Sequence, residues 1–294
     1  MLVAAVLFGT TGTAQQLGPD HATTLGLGAL RIAIGAVALW VFARRWPRPG
    51  LLLGHHRLVL LGAAGVAGYQ LGFFTGTDRS GVALGTVVAL GSGPLFSGLI
   101  DALWLRRAPS ASWWLATALA VSGGTLLVLA GDGSSSFSLV GVLGSLLAGL
   151  SYAVYAVAAK VLIDRGVDST VALAWPFTLG AAVLMGAVLV RMAAGSESMS
   201  WAVQPAGLVM LAHLGVATVG LAYFLYGYGL RTLDSSRAVT LTLLEPLTAV
   251  VLGVSLLGER LAPFGWVGAA LVVAGLAAAG GLFSKDQRGR DQRG

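Results

Sequence analysis

The sequence predicts an all-α membrane protein with ten transmembrane helices. Two properties of the composition support this prediction: 56% of the 294 residues are hydrophobic and only 10% are charged, whereas soluble domains carry about 25% charged residues. The mean hydropathy is +0.84. The third observation is the arrangement of the apolar residues, which form runs close to the roughly 20 residues that cross a bilayer.

Ten apolar runs follow one another along the chain. Their approximate bounds are 2–17, 23–43, 57–77, 82–104, 111–130, 138–162, 170–192, 205–229, 236–257 and 263–283. The connections between them are short, so any site has to lie within or between helices. The first run lacks the basic segment of a signal peptide and is interpreted as an uncleaved helix, with the possibility of preceding native residues left open.

The basic residues predict the orientation of the helices. With the N-terminus inside, fourteen of the eighteen lie in inner loops or the C-terminal tail, while Arg79, Arg191 and Arg260 lie outside and Arg31 lies within the second run. Because short cytoplasmic loops carry the excess of Lys and Arg, both termini are expected in the cytoplasm. The same distribution explains the net charge of +6 and argues against nucleic-acid binding.

An internal repeat divides the chain into two halves. A shift of 152 residues superimposes Arg79 on Arg231, Pro94 on Pro246 and Trp114 on Trp266. This predicts two five-helix repeats, at 1–131 and 138–284, followed by a basic cytoplasmic tail at 285–294. Because five is an odd number, the halves must cross the membrane in opposite directions, which is the inverted-repeat architecture of secondary transporters.

An acidic residue and a proline, Glu245 and Pro246, interrupt the ninth run near the middle of the membrane. Ionisable residues within a span are expensive to bury and usually face a cavity, so Glu245 is a candidate proton, cation or substrate site. The alternative is a carboxylate that caps backbone groups at a bend. Proline bends a helix; Pro246 has a repeat partner in Pro94 and is assigned to the scaffold, whereas Glu245 aligns with Gly93.

Other polar and aromatic residues in the runs are weaker candidates for a solute pathway. Arg31 is the natural countercharge for Glu245 and is expected either to pair with it or to reach the lipid headgroups. His213 can titrate near neutral pH, although a structural role near a helix end is favoured. The remaining candidates either line a pocket or pack in the core: Tyr223, Tyr226 and Gln15.

A glycine groove is predicted along the third run. Gly68, Gly72 and Gly76 recur every four residues and share one helix face, which favours close helix packing. Residues at the ends of runs are interpreted as solvated boundary residues, namely Asp101, Lys160, Glu259 and Arg260. Without cysteines, disulfides and thiolate metal sites are excluded, and neither a metal nor a cofactor is expected.

Two segments resemble a known family. They read FGTTGTAQQLGP in the first run and LLEPLTAVVLGVSLLGERLAPFGWVGAALVVAGL in the ninth and tenth. With ten spans in two halves, the chain resembles the EamA family of the drug/metabolite transporter superfamily over residues 1–284. The resemblance implies an inner-membrane exporter of amino acids, metabolites or amphipathic toxic compounds. Phe8, where members often carry Trp, and Gly93 depart from the pattern, so no particular substrate follows.

The leading functional hypothesis is therefore secondary transport by alternating access, with a small solute and the lipid bilayer as partners. ATP coupling is unsupported because the chain has no phosphate-binding Gly-Lys-Ser/Thr loop. An intramembrane lipid-modifying enzyme would need a nucleophile with a positioned base, which the sequence does not offer. A membrane sensor or scaffold would need an appended signalling domain. Proton coupling and a homodimer are left open.

Overall fold

The computed structural model describes residues 1–44, 49–130, 138–256, 258 and 262–291. In this part of the chain all regular secondary structure is helical. The helices are α1 Leu2–Gly9, α2 Thr11–Gln16, α3 Thr24–Ala43, α4 Pro49–Ser80, α5 Val82–Leu103, α6 Ala111–Leu129, α7 Leu139–Asp164, α8 Ser169–Ala193, α9 Pro205–Ala212, α10 Ala222–Leu230, α11 Ser235–Leu241, α12 Leu244–Leu256 and α13 Pro263–Asp291. A π-helical segment, His213–Leu221, joins α9 to α10.

Eight helices of the described chain are long and apolar enough to cross a membrane. They are Thr24–Ala43, Gly54–Ser80, Leu84–Leu103, Ala111–Leu129, Leu139–Asp164, Ser169–Ala193, Pro205–Leu230 and Ser235–Leu256. A shorter apolar helix, Pro263–Ala279, follows them, and the first predicted run is divided at Thr10 into α1 and α2. The all-α membrane fold is confirmed, and the count agrees with ten helices.

Side-chain caps define where several helices begin. The hydroxyl of Ser110 accepts a hydrogen bond from the Trp113 N–H at the start of α6, and the Asp168 carboxylate accepts from Thr170 and Val171 at the start of α8. Each cap satisfies a backbone donor that has no partner inside its own helix. Gly81, with φ of 83°, forms the turn between α4 and α5 in a conformation that L side chains rarely adopt.

Glycines on α4 bring it close to α7. A Cβ atom on Gly72 would lie 2.6 Å from the Gly144 carbonyl oxygen and 2.8 Å from the Ala148 nitrogen, and Gly68 and Gly76 also face α7. In a bilayer, where lipid is as apolar as the side chains, such close contact supplies much of the attraction between helices. The glycine face of α4 therefore lies at the contact between α4 and α7.

The ninth predicted run is broken rather than bent. A turn at Thr242 and Leu243 separates α11 from α12, so Glu245 and Pro246 lie in the first turn of α12 and not in the middle of a helix. Proline is tolerated there because the first N–H groups of a helix have no intrahelical partner. Pro94, its counterpart in the sequence repeat, lies inside the continuous helix α5.

Two predicted boundary residues and part of the predicted tail lie outside the described residues. Glu259 and Arg260, interpreted as boundary residues, lie outside them. The tail expected at 285–294 continues α13 as far as Asp291, and the last three residues are again outside the described part.

Candidate functional site

A cavity of about 520 Å³ lies between the helices. Its exposed wall residues are Gly12, Gln15, Gln16, Thr24 and Asp78, which lie on α2, at the start of α3 and at the end of α4. We call this opening the mouth. From α5 the wall includes only residues of its first turns, Thr86 and Leu90. The cavity therefore opens at the mouth and ends near the middle of the bundle.

Two residues of opposite charge line this cavity: Arg31 on α3 and Glu245 at the start of α12. The Nη2 of Arg31 donates a hydrogen bond to Gln70 Oε1 at 3.2 Å, and its buried Nε–H has no partner. Over the described residues, no ion pair or hydrogen bond reaches the Glu245 carboxylate. Of the two alternatives that the sequence left for Arg31, the direct pair with Glu245 is not formed, and the guanidinium bonds to Gln70 on the cavity wall.

Aromatic rings form much of the remaining wall. The ring of Tyr223 lies 5.0 Å from that of Phe8 and 4.4 Å from that of Phe177, measured between centroids. The hydroxyls of Tyr223 and Tyr155 hydrogen-bond at 2.6 Å, which joins α10 to α7. Tyr69 of α4 completes this group on the cavity wall. These side chains provide large flat apolar surfaces and, at their hydroxyls, polar groups.

Tyr152 connects this aromatic wall to the break in the ninth run. Its ring lies 6.1 Å from that of Tyr69 in an edge-on arrangement, and its hydroxyl hydrogen-bonds to Thr242 Oγ1 at 2.8 Å. Thr242 belongs to the turn that precedes α12. The position of Glu245 is therefore tied to α7 through a buried hydrogen bond three residues earlier in the chain.

The structure brings together five of the seven residues that the sequence singled out for a solute pathway. These five line the cavity: Gln15, Arg31, Tyr223, Glu245 and Pro246. Two do not: Tyr226 is fully buried in the core, and His213 bonds through Nε2 to Thr10 Oγ1 at 2.8 Å. Pro94, predicted to pack between helices, is buried in α5. The Thr10 contact places His213 beside the break between α1 and α2.

Several wall residues were missed at the level of sequence. Gln70 is the most informative, since a polar side chain in the apolar run GVAGYQLGFF was itself a signal. Its side chain is only 1% exposed. Tyr69, Tyr152, Tyr155 and Phe177 gave no comparable signal, because aromatic residues in a membrane helix are equally typical of core packing.

The end opposite the mouth, where residues 104–110, 165–168 and 231–234 connect helices, is closed; we call it the sealed end. Asp101 accepts hydrogen bonds there from Ser235 Oγ and the Ser236 N–H. Asp101 is 2% exposed and Lys160 is 6% exposed. Their interpretation as solvated boundary residues was wrong, because α11 covers Asp101 and Asp164 binds Lys160 Nζ at 2.8 Å.

A helical bundle with a central cavity lined by polar, charged and aromatic groups is the architecture of a membrane transporter. The chain matches the EamA-like transporter family over residues 1–129 and 139–280 and belongs to this family. Among the described residues, no group of three His, Asp or Glu side chains could hold a metal ion.

Similar proteins agree with the family. The chain is 38% identical over 284 residues to the uncharacterized transporter YwfM of Bacillus subtilis (strain 168), covering 94% of this chain and 90% of that protein. It is 30% identical over 239 residues to the threonine/homoserine exporter RhtA of Escherichia coli (strain K12), covering 81% and 75%. A crystal structure with 22% identity shares the fold, with a TM-score of 0.76 over 94% of this chain and 93% of that one.

Proposed function

We propose that this multi-pass membrane protein is a secondary transporter that exports a small zwitterionic solute, an amino acid or a related metabolite, by alternating access. One observation supports this most directly. Arg31 and Glu245 line the same cavity, and neither neutralises the other in a direct ion pair. Charges kept in a membrane interior without a partner are expensive, and a solute that carries both opposite charges would satisfy them together.

Each charged residue then has a distinct role. The solute's carboxylate accepts hydrogen bonds from the free Nε–H of Arg31 and from its guanidinium fork, which is oriented by Gln70. The solute's ammonium group binds the Glu245 carboxylate. The two residues come from different halves of the chain, so a bound solute would hold both halves at once.

The aromatic wall would bind the rest of the solute. The rings of Phe8, Phe177 and Tyr223 can pack against an apolar side chain, and an ammonium group near their faces gains a cation–π attraction. A volume of about 520 Å³ lies within the roughly 300–1,000 Å³ typical of small-molecule pockets. The size therefore suits a metabolite and leaves space for water.

The direction of transport follows from the predicted topology and from the relatives. With both termini in the cytoplasm, as the arginine distribution indicates, the mouth faces outward and the sealed end faces the cytoplasm. An outward-open cavity is the state from which an exporter releases its solute. RhtA, a relative, is named as a threonine/homoserine exporter, which supports export of an amino acid from an inner or plasma membrane.

Proton coupling would use the same carboxylate. If Glu245 binds either a proton or the solute's ammonium group, a proton entering from the mouth would displace the solute, and export would be an exchange. Moving one proton inward yields about 2.3 kcal/mol per 100 mV of membrane potential. The two predicted halves, 1–131 and 138–284, would rock about the central site to present it to each side.

Transport in proteoliposomes tests this function. Labelled threonine should exchange across the membrane, whereas its methyl ester, which lacks the anion, and N-acetylthreonine, which lacks the cation, should not compete. A panel of zwitterionic amino acids of different sizes should be included, with and without an imposed proton gradient. Equal competition by the singly charged analogues, or absence of movement for every zwitterion in the panel, would refute the zwitterion site.

A further inference from the structure

Asp101 forms the buried contact that closes the sealed end. Its carboxylate accepts from Ser235 Oγ through one oxygen and from the Ser236 N–H, at 2.9 Å, through the other. Ser235 and Ser236 open α11, the short helix directly before the break at Thr242 and Leu243. Asp101 lies near the end of α5, so the contact joins the first half of the chain to the second.

The ion pairs of Arg107 at this end are more exposed. Arg107 binds Asp164 at 3.2 Å and Asp234 at 3.7 Å, but its own side chain is 53% exposed, and those of the two aspartates are 35% and 39% exposed. Ion pairs in contact with water contribute little because solvent screens them. Hydrogen bonds donated to a buried carboxylate are stronger and costly to leave unmade. Asp101 therefore makes the strongest polar contact between α5 and α11, while the buried hydroxyls of Thr117 and Thr240, 3.1 Å apart, join α11 to α6.

Apart from Asp101, the same face of α5 makes few polar contacts that would have to break if α5 and α11 moved apart. Gly93, Ser97 and Asp101 recur every four residues and so share one face of α5. Gly93 faces Tyr152 and Val239, and the buried Ser97 hydroxyl has no hydrogen-bond partner. This face lies between the inner limit of the cavity and the sealed end, so it lies on the route that a solute would take.

We propose that Asp101 is the gating residue of the transporter: release of Ser235 and Ser236 by its carboxylate lets α11 move away from α5 and opens the cavity at the sealed end. This inference rests on the proposed alternating access. In this proposal the sealed end is closed by the contact of Asp101 with Ser235 and Ser236, and none of these three residues is proposed to bind the solute. If Asp101 were only a structural cap, its loss would loosen the protein without favouring one open state.

The sequence contains no cysteine. A single introduced cysteine can therefore report, by its rate of labelling, whether its position is accessible from solution. Ser97→Cys reports access to the closed route, and Thr77→Cys reports access to the cavity near the mouth. Each is introduced alone into the full chain, purified in detergent and reacted with a polar maleimide. Introducing Asp101→Asn should raise the labelling rate at Ser97→Cys by about tenfold and lower it at Thr77→Cys, as a shift between two states requires.

Matched variants separate gating from general damage. Arg107→Gln removes both exposed ion pairs at the same end and should change neither rate by more than about twofold, since such pairs are weak. If Asp101→Asn does not yield folded protein, Ser235→Ala removes one of the two bonds and should shift both reporters in the same reciprocal directions by a smaller factor. Reciprocal shifts support the gate. Unchanged rates at both reporters, or a rise at both, overturn it.

Labelling needs no solute, so it distinguishes failure of the gate from failure of the proposed function. Reciprocal shifts without exchange of any zwitterion in the panel would leave the gate in place and remove the zwitterion site. Exchange of a zwitterion with unchanged labelling would support the zwitterion site and overturn the gate.

Discussion

Gly9 of α1 and Glu245 of α12 are in direct backbone contact: a Cβ atom on Gly9 would lie 2.7 Å from the Glu245 carbonyl oxygen. The same atom would lie 2.5 Å from Cβ of Thr248. The contact sets the break after α1 against the first turn of α12. The placement of the acidic residue in the cavity therefore depends on a residue without a side chain in the other half of the chain.

Substitution of Gly9 by Ala should displace α12 and weaken transport. The added methyl group meets backbone, which yields less readily than a flexible side chain, so we expect a destabilisation of about 1–3 kcal/mol, typical of overpacking. Thermal unfolding in detergent measures the stability, and threonine exchange measures the site. Gly186→Ala on α8, where a Cβ meets nothing within 4 Å, is the control and should leave both unchanged.

Replacing Glu245 by Gln should abolish exchange of zwitterions while the protein remains folded. The amide keeps the shape of the side chain but loses the charge that is proposed to bind the ammonium group, and charge-assisted hydrogen bonds contribute about 1.5–3 kcal/mol. We expect at least tenfold lower exchange at equal expression. Growth resistance in cells that overexpress either form offers a second measurement. Exchange at the wild-type rate would remove Glu245 from the mechanism.

Arg31 and Glu245 should be coupled in stability, although they form no direct ion pair. In a buried ion pair, removing one partner would cost about 3–5 kcal/mol because a charge is left behind. Here Arg31 bonds to Gln70, but the two opposite charges still attract each other across the cavity that they both line. The double variant Arg31→Gln/Glu245→Gln should therefore be less destabilised than the sum of the two single changes, by about 0.5–3 kcal/mol. Strict additivity would contradict this attraction.

The glycine face of α4 should be sensitive to added volume. A methyl group on Gly72 would meet backbone atoms of Gly144 and Ala148, so Gly72→Ala should separate α4 from α7 and lower the unfolding temperature. Gly54→Ala, on the segment of α4 that precedes a kink at His55, is the control, since nothing lies within 4 Å of its Cβ position. Equal unfolding temperatures for both variants would contradict the role assigned to this face.

Much of the fold could be predicted because the signals are local. The length and hydropathy of each run depend only on neighbouring residues, and the observed helices follow the ten runs closely. The membership of the EamA-like family was likewise available from the segments around Phe8 and Glu245. The two helical breaks were harder to predict. Threonine is common in membrane helices, so nothing at Thr10 itself marks an interruption, and Pro246, four residues after Thr242, predicts a bend but not a complete break.

The site was predictable only in part. A charge in an apolar run is conspicuous wherever it points, so Arg31 and Glu245 were found without a structure. Which partner each charge takes is a different question: the sequence left Arg31 a choice between Glu245 and the lipid headgroups, and in the structure it bonds to Gln70. Asp101 shows the same limit, because a carboxylate at the end of a run can be solvated or covered. Only the fold brings α11 over it.

The sequence by itself determined that this is a membrane protein, where its helices lie, to which family it belongs and which two charged residues lie within the spans. Each of these follows from the composition, hydropathy or motifs of short, continuous stretches of the chain. Tertiary structure alone decided that Gln70 holds Arg31, that Glu245 opens a helix on the cavity wall, and that Asp101 is buried. Each of these depends on contacts between segments far apart in the chain, whose geometry is set by close packing of the helices.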